Sequence, residues 1–276
     1  MNGKQNDLFD NRSQIEDLFS QSKKYRTSEG FIKFIKFIAS FDHYSRFNCM
    51  LVYLQNDAVT FFGSKSFWKK RNRKIIEDAR PYLILAPKHP IVLVYDIFDT
   101  EGILSPKAYL ENGLGRDVHN VEGHISQDVY VRAINTAQKW GIKIKYYPMS
   151  YFKEGYIMIR TKLKIGLKEG VSKERNFKTL LHELAHLFLG HTSHDFIFNS
   201  ENDKSKQIEL RSIPRRIEEI EAETVSYLLC SKRGLEGQSI EYIATWFQSE
   251  EDFRLFNYSK VIQTADQIER MFFKGI

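Results

Sequence analysis

The stretch Thr179-Leu-Leu-His-Glu-Leu-Ala-His-Leu-Phe-Leu-Gly-His191 carries an H-E-x-x-H pattern in an almost wholly apolar setting. Side chains four residues apart lie on one face of a helix, so His182 and His186 can bind one zinc ion, at about 2.0–2.1 Å each. Glu183 follows the first histidine and is placed to take a proton from a zinc-bound water. We therefore predict a zinc site with Glu183 as the catalytic general base, on a helix that begins at Asn176 or Lys178.

The third ligand is expected from a second amphipathic segment, Arg215–Cys230. At about 100° per residue, Glu219 and Glu223 share an arc with small residues that would let this helix approach the first one closely. We predict Glu219 as the third ligand and Glu223 as the residue that orients a ligating histidine. His191 and His194 stay open as competing ligands, and a solvated acidic face is the alternative for both glutamates.

Other positions near the motif narrow the class of site. Leu189 and Thr192 stand where a metzincin would require Gly and His, which excludes that class. Glu218 and Glu221 point away from the arc of Glu219, so we expect them to face solvent. His191 is a further candidate, as a hydrogen-bond donor to the oxyanion that peptide hydrolysis would generate.

Composition indicates a globular protein of a reducing compartment. The chain has 276 residues, 42% of them hydrophobic and 28% charged, which leaves room for two domains. Its only cysteines, Cys49 and Cys230, lie far apart and do not suggest a disulfide framework. The polar start of the chain lacks a signal-peptide core, and no apolar run approaches membrane-spanning length. We expect a cytoplasmic protein with no membrane partner.

Positive charge is concentrated in the first third of the chain. The segment Lys23–Lys74 holds twelve Lys and Arg against three acidic residues, a net of +9, whereas the whole chain carries +6. Within it, Lys65-Ser-Phe-Trp-Lys-Lys-Arg-Asn-Arg-Lys74 interleaves aromatic rings with cations. Single-stranded DNA needs that combination, because bases stack on rings and phosphates pair with cations. A solvated helix with Phe67 and Trp68 turned inward explains the spacing equally well.

The order of elements predicts an α+β fold in two parts. Tyr82–Ala86 and Ile91–Phe98 are strands of near-continuous apolar character, which indicates a buried sheet. Three strands are predicted ahead of the H-E-x-x-H helix, at Ile142–Tyr147, Gly155–Arg160 and Lys162–Leu167, and an edge strand there could hold an extended peptide. The stretch 192–212 is long and polar and is expected to form a loop. The predicted divisions are a tail over 1–9, a first α/β domain over 10–102, a linker over 103–124 and a second domain over 125–276.

Two sets of short motifs carry a family resemblance. In the second half they are the H-E-x-x-H stretch, the Glu219-Ile-Glu-Ala-Glu-x-Val-x-Tyr-Leu-x-Cys230 segment, and Tyr242-Ile-Ala-x-Trp246. In the first half they are Tyr44-Ser-Arg-Phe-Asn48, Gln55, Gly63 with Trp68, Ile84-Leu-Ala-Pro87 and Phe98-Asp-Thr-Glu-Gly102. Together they resemble the ArdC antirestriction family, whose metallopeptidase domain is related to the ImmA/IrrE zincins.

The resemblance implies a domain that binds single-stranded DNA, followed by a minimal zincin domain of the H-E-x-x-H plus Glu type. One Zn²⁺ per chain would be held by His182, His186 and Glu219, with Glu183 as the catalytic residue. The family protects incoming mobile DNA from host restriction. The basic segment and the resemblance together predict these DNA-binding residues: Tyr44, Arg46, Asn48, Lys65, Trp68, Lys69, Lys70, Arg71 and Arg73.

Two other functions stay open at this stage. An ImmA-like peptidase would cleave a specific repressor and use the first half of the chain for protein targeting. A non-catalytic DNA-coating protein would use the metal only to brace its fold. The partners expected across these functions are single-stranded DNA and a protein substrate.

Overall fold

The computed structural model of the chain mixes helices and strands along its length, which confirms the predicted α+β class. The residues described are 26–41, 43–86, 91–111, 123–148, 155–159, 163–192, 197–200, 203–207, 210–235 and 239–273. The predicted tail 1–9 and residues 112–122 of the predicted linker lie outside them. Within the described ranges, none of the helices has the length and apolarity that a bilayer crossing would require.

Contacts between residues divide the chain into two units. One unit is Phe34–Asn120, and the other joins Met1–Lys33 to Val121–Ile276. The sequence-based boundaries at 102 and 125 stay predictions. One feature of the division is not expected from chain order, because residues just before Phe34 group with the C-terminal part of the chain.

Short helices and antiparallel strands form the unit Phe34–Asn120, with its first helix starting just ahead of it. The elements are α1 (Ser28–Ala39), α2 (Arg46–Gln55), β1 (Phe62–Ser64), α3 (Lys65–Lys70), β2 (Lys74–Ile75), β3 (Tyr82–Ile84), β4 (Val92–Asp96), a 3₁₀ helix (Ile97–Asp99), β5 (Thr100–Glu101) and α4 (Pro106–Tyr109). Strand β4 lies between β1 and β3 and is antiparallel to both, and β2 pairs with β5.

The sheet β1–β4–β3 has one buried and one exposed face. Val94 is buried, whereas Leu83 and Leu93, which lie directly opposite each other, are 46% and 45% exposed. The prediction of a buried sheet is therefore wrong. Antiparallel sheets commonly leave one face to solvent, and an apolar run alone does not reveal how many faces are covered.

Side-chain amides from α2 cover the outer edge of β3. Asn48 donates to the carbonyl of Leu85 and accepts from its N–H, and Gln55 does the same with Leu83. The two amides are seven residues apart, close to two helical turns, so they lie on the same face of α2. They satisfy the edge backbone as a neighbouring strand would.

The other unit contains the H-E-x-x-H helix. Its described elements after residue 121 are α5 (Gln127–Lys139), β6 (Lys143–Tyr147), β7 (Gly155–Ile159), β8 (Leu163–Lys168), α6 (Lys173–Leu189), β9 (Ile197–Ser200), β10 (Asp203–Gln207), α7 (Arg215–Ser231), α8 (Ile240–Ala244), α9 (Glu250–Leu255) and α10 (Tyr258–Phe273). Strand β8 is central, parallel to β6 and antiparallel to β7. The three predicted strands are thus present, and β7 is an edge of this sheet.

Helices α6, α7 and α10 pack on one another and form much of the core of this unit. The apolar residues of α6 are buried nearly all round, among them Leu180, Leu184 and Leu187.

At the other end of the chain, Phe31 of α1 packs edge-on against Phe247 and Phe256. Such aromatic pairs add about 0.5–1.5 kcal/mol beyond the area they bury.

Helix boundaries here follow capping residues. Helix α6 begins at Lys173, earlier than predicted, because the Ser172 hydroxyl accepts the N–H of Arg175 as an N-cap. It ends at Gly190 as predicted, with φ of 78° in the left-handed region. Helix α9 begins at the capping box that Ser249 and Asp252 form. The expected loop 192–212 contains the antiparallel pair β9–β10.

Candidate functional site

Three predicted metal ligands meet between α6 and α7. The Nε2 atoms of His182 and His186 are 3.1 Å apart. One oxygen of Glu219, Oε2, lies 3.4 Å from the first and 3.5 Å from the second. Within the described residues these three form a group able to hold a metal ion. The two histidines come from one helix at i and i+4, and the glutamate comes from the helix packed against it.

The donor atoms fit a divalent cation. Bonds of about 2.0–2.1 Å at tetrahedral angles place ligand atoms about 3.3 Å from each other, close to the distances observed here. Two imidazole nitrogens that face each other at 3.1 Å need a proton or a cation between their lone pairs. Two histidines and one carboxylate are also the ligand set of many catalytic zinc sites, which leave a fourth position for water.

The close approach of these side chains shifts their pKa values. Burial by itself lowers the pKa of His182, but hydrogen bonds to Glu219 and Glu223 outweigh it and raise the pKa to about 10. The imidazoles of His182, first, and His186 beside it hold the pKa of Glu219 well below its usual range. Burial lowers the pKa of His186, so this imidazole favours the neutral form that a metal requires.

Glu223 contacts His182 from the side away from the donor cluster. Its Oε2 lies 2.9 Å from Nδ1 of His182, so Nδ1 donates its proton to the carboxylate. In the neutral ring that a metal requires, the lone pair is then on Nε2. A carboxylate at this position fixes both the ring orientation and the tautomer of a ligating histidine.

Glu183 lies next to strand β7. Gly155, at the start of β7, approaches α6 so closely that an added Cβ would overlap Cγ2 of Thr179 and come 3.1 Å from Oε1 of Glu183. The backbone of an edge strand therefore runs beside the predicted general base. Sequence alone did not indicate which strand is the edge.

Glu221 is completely buried, so the prediction that it faces solvent is wrong. Its Oε1 accepts from Arg211 and from the N–H of Asn257, and its Oε2 contacts Arg211 and Nε2 of His191. Burial alone would raise the pKa of Glu221, but the bonds from His191 and Arg211 lower it. Packing of α7 on more than one side explains the burial, and helical periodicity does not indicate it.

His191 is not among the residues that converge on the metal position. Its side chain is completely buried, and its Nδ1 lies 3.1 Å from Nδ1 of His186, on the far side of that ring from the donor cluster. It therefore has no access to an oxyanion, which corrects that expectation. The other competing ligand, His194, lies outside the described residues.

Five of the predicted DNA-binding residues serve the fold of the unit Phe34–Asn120 or lie buried in it. Trp68 is 0% exposed and donates its ring N–H to the carbonyl of Tyr95 at 3.0 Å, so no base can stack on it. The inward-facing alternative therefore holds for Trp68. The hydroxyl of Tyr44 accepts the N–H of Ser64, and the amide of Asn48 covers the edge of β3. The guanidinium of Arg73 donates to Thr100 and to the carbonyl of Leu104, and Arg46 is buried.

The remaining four predicted DNA-binding residues lie on or next to α3 at the surface. Lys65, Lys69 and Lys70 are exposed, and the guanidinium of Arg71 lies 3.7 Å above the half-buried ring of Phe67. A ring with a cation on its face and lysines nearby retains the elements of a nucleic-acid contact, without the tryptophan.

The chain has similarity to known proteins at the level of solved structures. No protein-family profile and no curated protein matches the sequence. Among solved structures, the chain is similar to the Mn(II)-bound crystal structure of antirestriction protein ArdC from plasmid R388, with 15% identity, TM-score 0.43, and coverage of 96% of this chain and 99% of that one. For the metal-free ArdC structure the values are 10%, 0.38, 83% and 85%. ArdC is the family that the sequence motifs resemble.

Proposed function

We propose that this chain is a metal-dependent peptidase-like protein with a minimal zincin site, and that zinc is its metal. The observation that carries the proposal is the convergence of His182, His186 and Glu219, with Glu183 on the same helix turn. Two further features support it. Glu223 contacts the outer nitrogen of His182, and an edge strand runs past Glu183.

The side chains divide the work of hydrolysis. Lewis-acid polarisation of a carbonyl and of a water molecule is the chemistry that a bound divalent cation supplies here. Glu183 takes the proton of the attacking water and later delivers it to the leaving amine. Glu223 holds the proton on Nδ1 of His182, so that Nε2 stays available. An extended peptide would pair with the edge of β7 and reach the reacting atoms in a defined register.

Metal content tests the centre directly. The purified protein, offered Zn²⁺, Mn²⁺ and Co²⁺, should retain about one equivalent of metal after gel filtration. Glu219→Ala should retain much less, because the loss of one of three ligands exposes the ion to exchange. Glu218→Ala, one residue earlier on α7, is the matched control and should bind as the wild type does. Equal metal content in Glu219→Ala and wild type would remove the basis of the proposal.

Hydrolysis is tested separately from metal binding. A library of unmodified peptides is incubated with the zinc-loaded protein, and new N-termini are read by mass spectrometry. Glu183→Gln should keep its metal and lose all cleavage, because an amide cannot accept the proton of water. If Glu183→Gln cleaves like the wild type, the general base has been misassigned. If neither cleaves while both hold metal, the non-catalytic alternative is favoured.

We further propose that the unit Phe34–Asn120 binds single-stranded DNA through α3 and its flank. Lys65→Ala, Lys69→Ala and Lys70→Ala in one protein should weaken binding of a labelled single-stranded oligonucleotide and lower the salt slope by about 2. A control that replaces the exposed Lys143 and Lys145 should bind normally. Unchanged affinity and slope in the triple variant would contradict the proposed surface.

The biological role that the motifs imply is protection of incoming mobile DNA from host restriction, and we propose it for this chain. The buried free thiols of Cys49 and Cys230 accord with a cytoplasmic setting. Expression in a restricting host should raise the number of transconjugants that receive an unmodified plasmid. Without that increase, the ImmA-like repressor peptidase becomes the better candidate.

A further inference from the structure

A chain of buried polar groups extends from His186 away from the metal position, and the proposed hydrolysis does not use it. It passes from His186 to His191, then to Glu221, and ends at Arg211. The side chains of His191 and Glu221 are completely buried. Polar groups so deep in a protein are costly unless each meets a partner of the right donor or acceptor character.

The end of α6 brings His191 back against its own helix. Gly190 adopts a left-handed conformation, and the N–H of His191 then donates to the carbonyl of His186. In this turn the two imidazole rings stand 5.2 Å apart at 66°, with 3.1 Å between their Nδ1 atoms. The N–H of Arg211 donates to the carbonyl of Gly190, which fixes the turn from outside.

At the Arg211 end of this series of buried polar groups, the hydrogen-bond donors and acceptors are fixed. Arg211 approaches Glu221 with both terminal nitrogens, and the backbone N–H of Asn257 donates to Oε1 at 2.8 Å. A guanidinium and a backbone N–H can only donate, so Glu221 is a carboxylate that can only accept. The 3.0 Å contact between Oε2 of Glu221 and Nε2 of His191 therefore requires a proton on that Nε2.

The proton on Nε2 of His191 determines the tautomer of His191 and, through it, that of His186. A neutral imidazole with its proton on Nε2 has a lone pair on Nδ1, so Nδ1 of His191 accepts. The partner nitrogen, Nδ1 of His186, must then carry a proton and donate it across the 3.1 Å contact. With its proton on Nδ1, His186 has its lone pair on Nε2, the nitrogen that lies 3.1 Å from Nε2 of His182 in the donor cluster.

We propose that His191 is a positioning residue, held by Glu221 and Arg211, that keeps His186 in the Nδ1–H tautomer required for metal binding through Nε2. This inference rests on the proposed metal function of the site. The two ligating rings are then held by different means. His182 donates directly to the carboxylate of Glu223, whereas His186 reaches the carboxylate of Glu221 only through a second imidazole.

The first test is the tautomer of His186 in the metal-free wild-type protein. Two-dimensional NMR that correlates ring nitrogens with ring protons distinguishes the two tautomers, and His186→Gln assigns the signal. The expected result is a proton on Nδ1 of His186 and a proton on Nε2 of His191. A proton on Nε2 of His186, or none on Nε2 of His191, would overturn the proposal without any need for a variant at His191.

The second test is zinc affinity, measured by competition with a chromophoric chelator. His191→Phe keeps the ring volume and removes both hydrogen bonds, and it should weaken zinc binding about 10–100-fold. His191→Gln offers an oxygen to His186 and an amide N–H to Glu221, so it should recover part of that loss and restore the Nδ1–H signal. His124→Phe, at an exposed histidine of the same unit, should bind zinc normally.

The outcomes separate this inference from the metal proposal. If the wild-type protein binds no divalent cation, the proposed function fails, whatever the tautomer of His186. If the wild type binds zinc and a folded His191→Phe protein also binds zinc normally, the positioning role fails and the metal site stands. If His191→Phe does not fold, the tautomer of His186 in the wild-type protein decides the question by itself.

Discussion

Alternate residues of α7 place three carboxylates in different environments. Glu219 meets two imidazole nitrogens, and Glu223 meets the outer nitrogen of His182. Glu221, between them in sequence, points to the opposite side of the helix and is buried against Arg211 and His191. Each glutamate is thus placed by its partner, because a buried carboxylate is tolerated only where donors surround it.

The buried ion pair of Glu221 should make a large, pH-dependent contribution to stability. Glu221→Gln should lower the free energy of unfolding at pH 7 by about 3 kcal/mol, since it leaves Arg211 without its counter-charge. The pKa of Glu221 is lowered in the folded state, so its contribution is present above the unfolded pKa of about 4.3 and is lost as pH falls further. The gap between variant and wild type should therefore shrink below about pH 4.3.

Urea unfolding from pH 3 to pH 7 measures this gap, and Glu218→Gln supplies the matched control. Glu218 is only partly buried, and its replacement should change stability by less than about 0.5 kcal/mol at any pH. A gap for Glu221→Gln that stays constant through acid pH would show that the charge of Glu221 is not what stabilises the fold.

At the scale of elements, the separation of β7 from α6 depends on Gly155. An added Cβ would meet Cγ2 of Thr179 well inside normal contact, with Oε1 of Glu183 also near. The absence of a side chain thus allows the edge strand to run close beside the candidate general base. In the sequence, the close approach of strand and helix is indicated only by a glycine at the start of a strand. A glycine at that position is equally typical of a turn.

Gly155→Ala should destabilise the protein by about 1–3 kcal/mol, because neither the strand nor the helix can shift without cost. Thr179→Ser removes the clashing methyl group and keeps the hydroxyl bond to the carbonyl of Arg175. The double variant should therefore recover most of the stability, which chemical denaturation will measure. Equal destabilisation of the single and double variants would mean that Thr179 does not set the spacing.

At the scale of the whole molecule, residues that are neighbours in sequence do not all belong to the same structural unit. Phe31 precedes the unit Phe34–Asn120 in sequence, yet it packs on Phe247 and Phe256, more than 200 residues later. Chain order gives no reason to group the start of α1, up to Lys33, with the C-terminal part of the chain, since its apolar residues are typical of any buried helix. Long-range partners are decided by which apolar surfaces meet.

Phe31→Ala should destabilise the unit that holds the candidate metal centre by about 3–5 kcal/mol, through the cavity it leaves. Hydrogen exchange should accelerate in α9 and α10. Phe62→Ala is the matched control, because Phe62 is equally buried and packs on Phe41 and Tyr44. It should accelerate exchange within Phe34–Asn120 instead. The reverse pattern would contradict the grouping of Phe31 with the C-terminal part of the chain.

Local sequence patterns were sufficient to predict most helices and strands around the candidate metal centre. Helix α6, its stop at Gly190, helix α7 and the three strands before them follow from periodicity and capping, which are properties of short segments. The candidate ligands followed too, because spacings of four residues place His182 with His186, and Glu219 with Glu223, whatever surrounds the helix. The roles of these residues stay predictions until metal is measured.

Sequence by itself therefore determined which side chains share a helix face, and with them the possible metal centre. Tertiary structure alone decided which faces are covered. It buried Trp68 against Tyr95 and removed it from the candidate DNA surface, and it enclosed His191 and Glu221 behind His186. The physical reason is that the position of a residue on a helix face follows from backbone geometry within one or two turns. Burial depends on neighbours brought from distant parts of the chain.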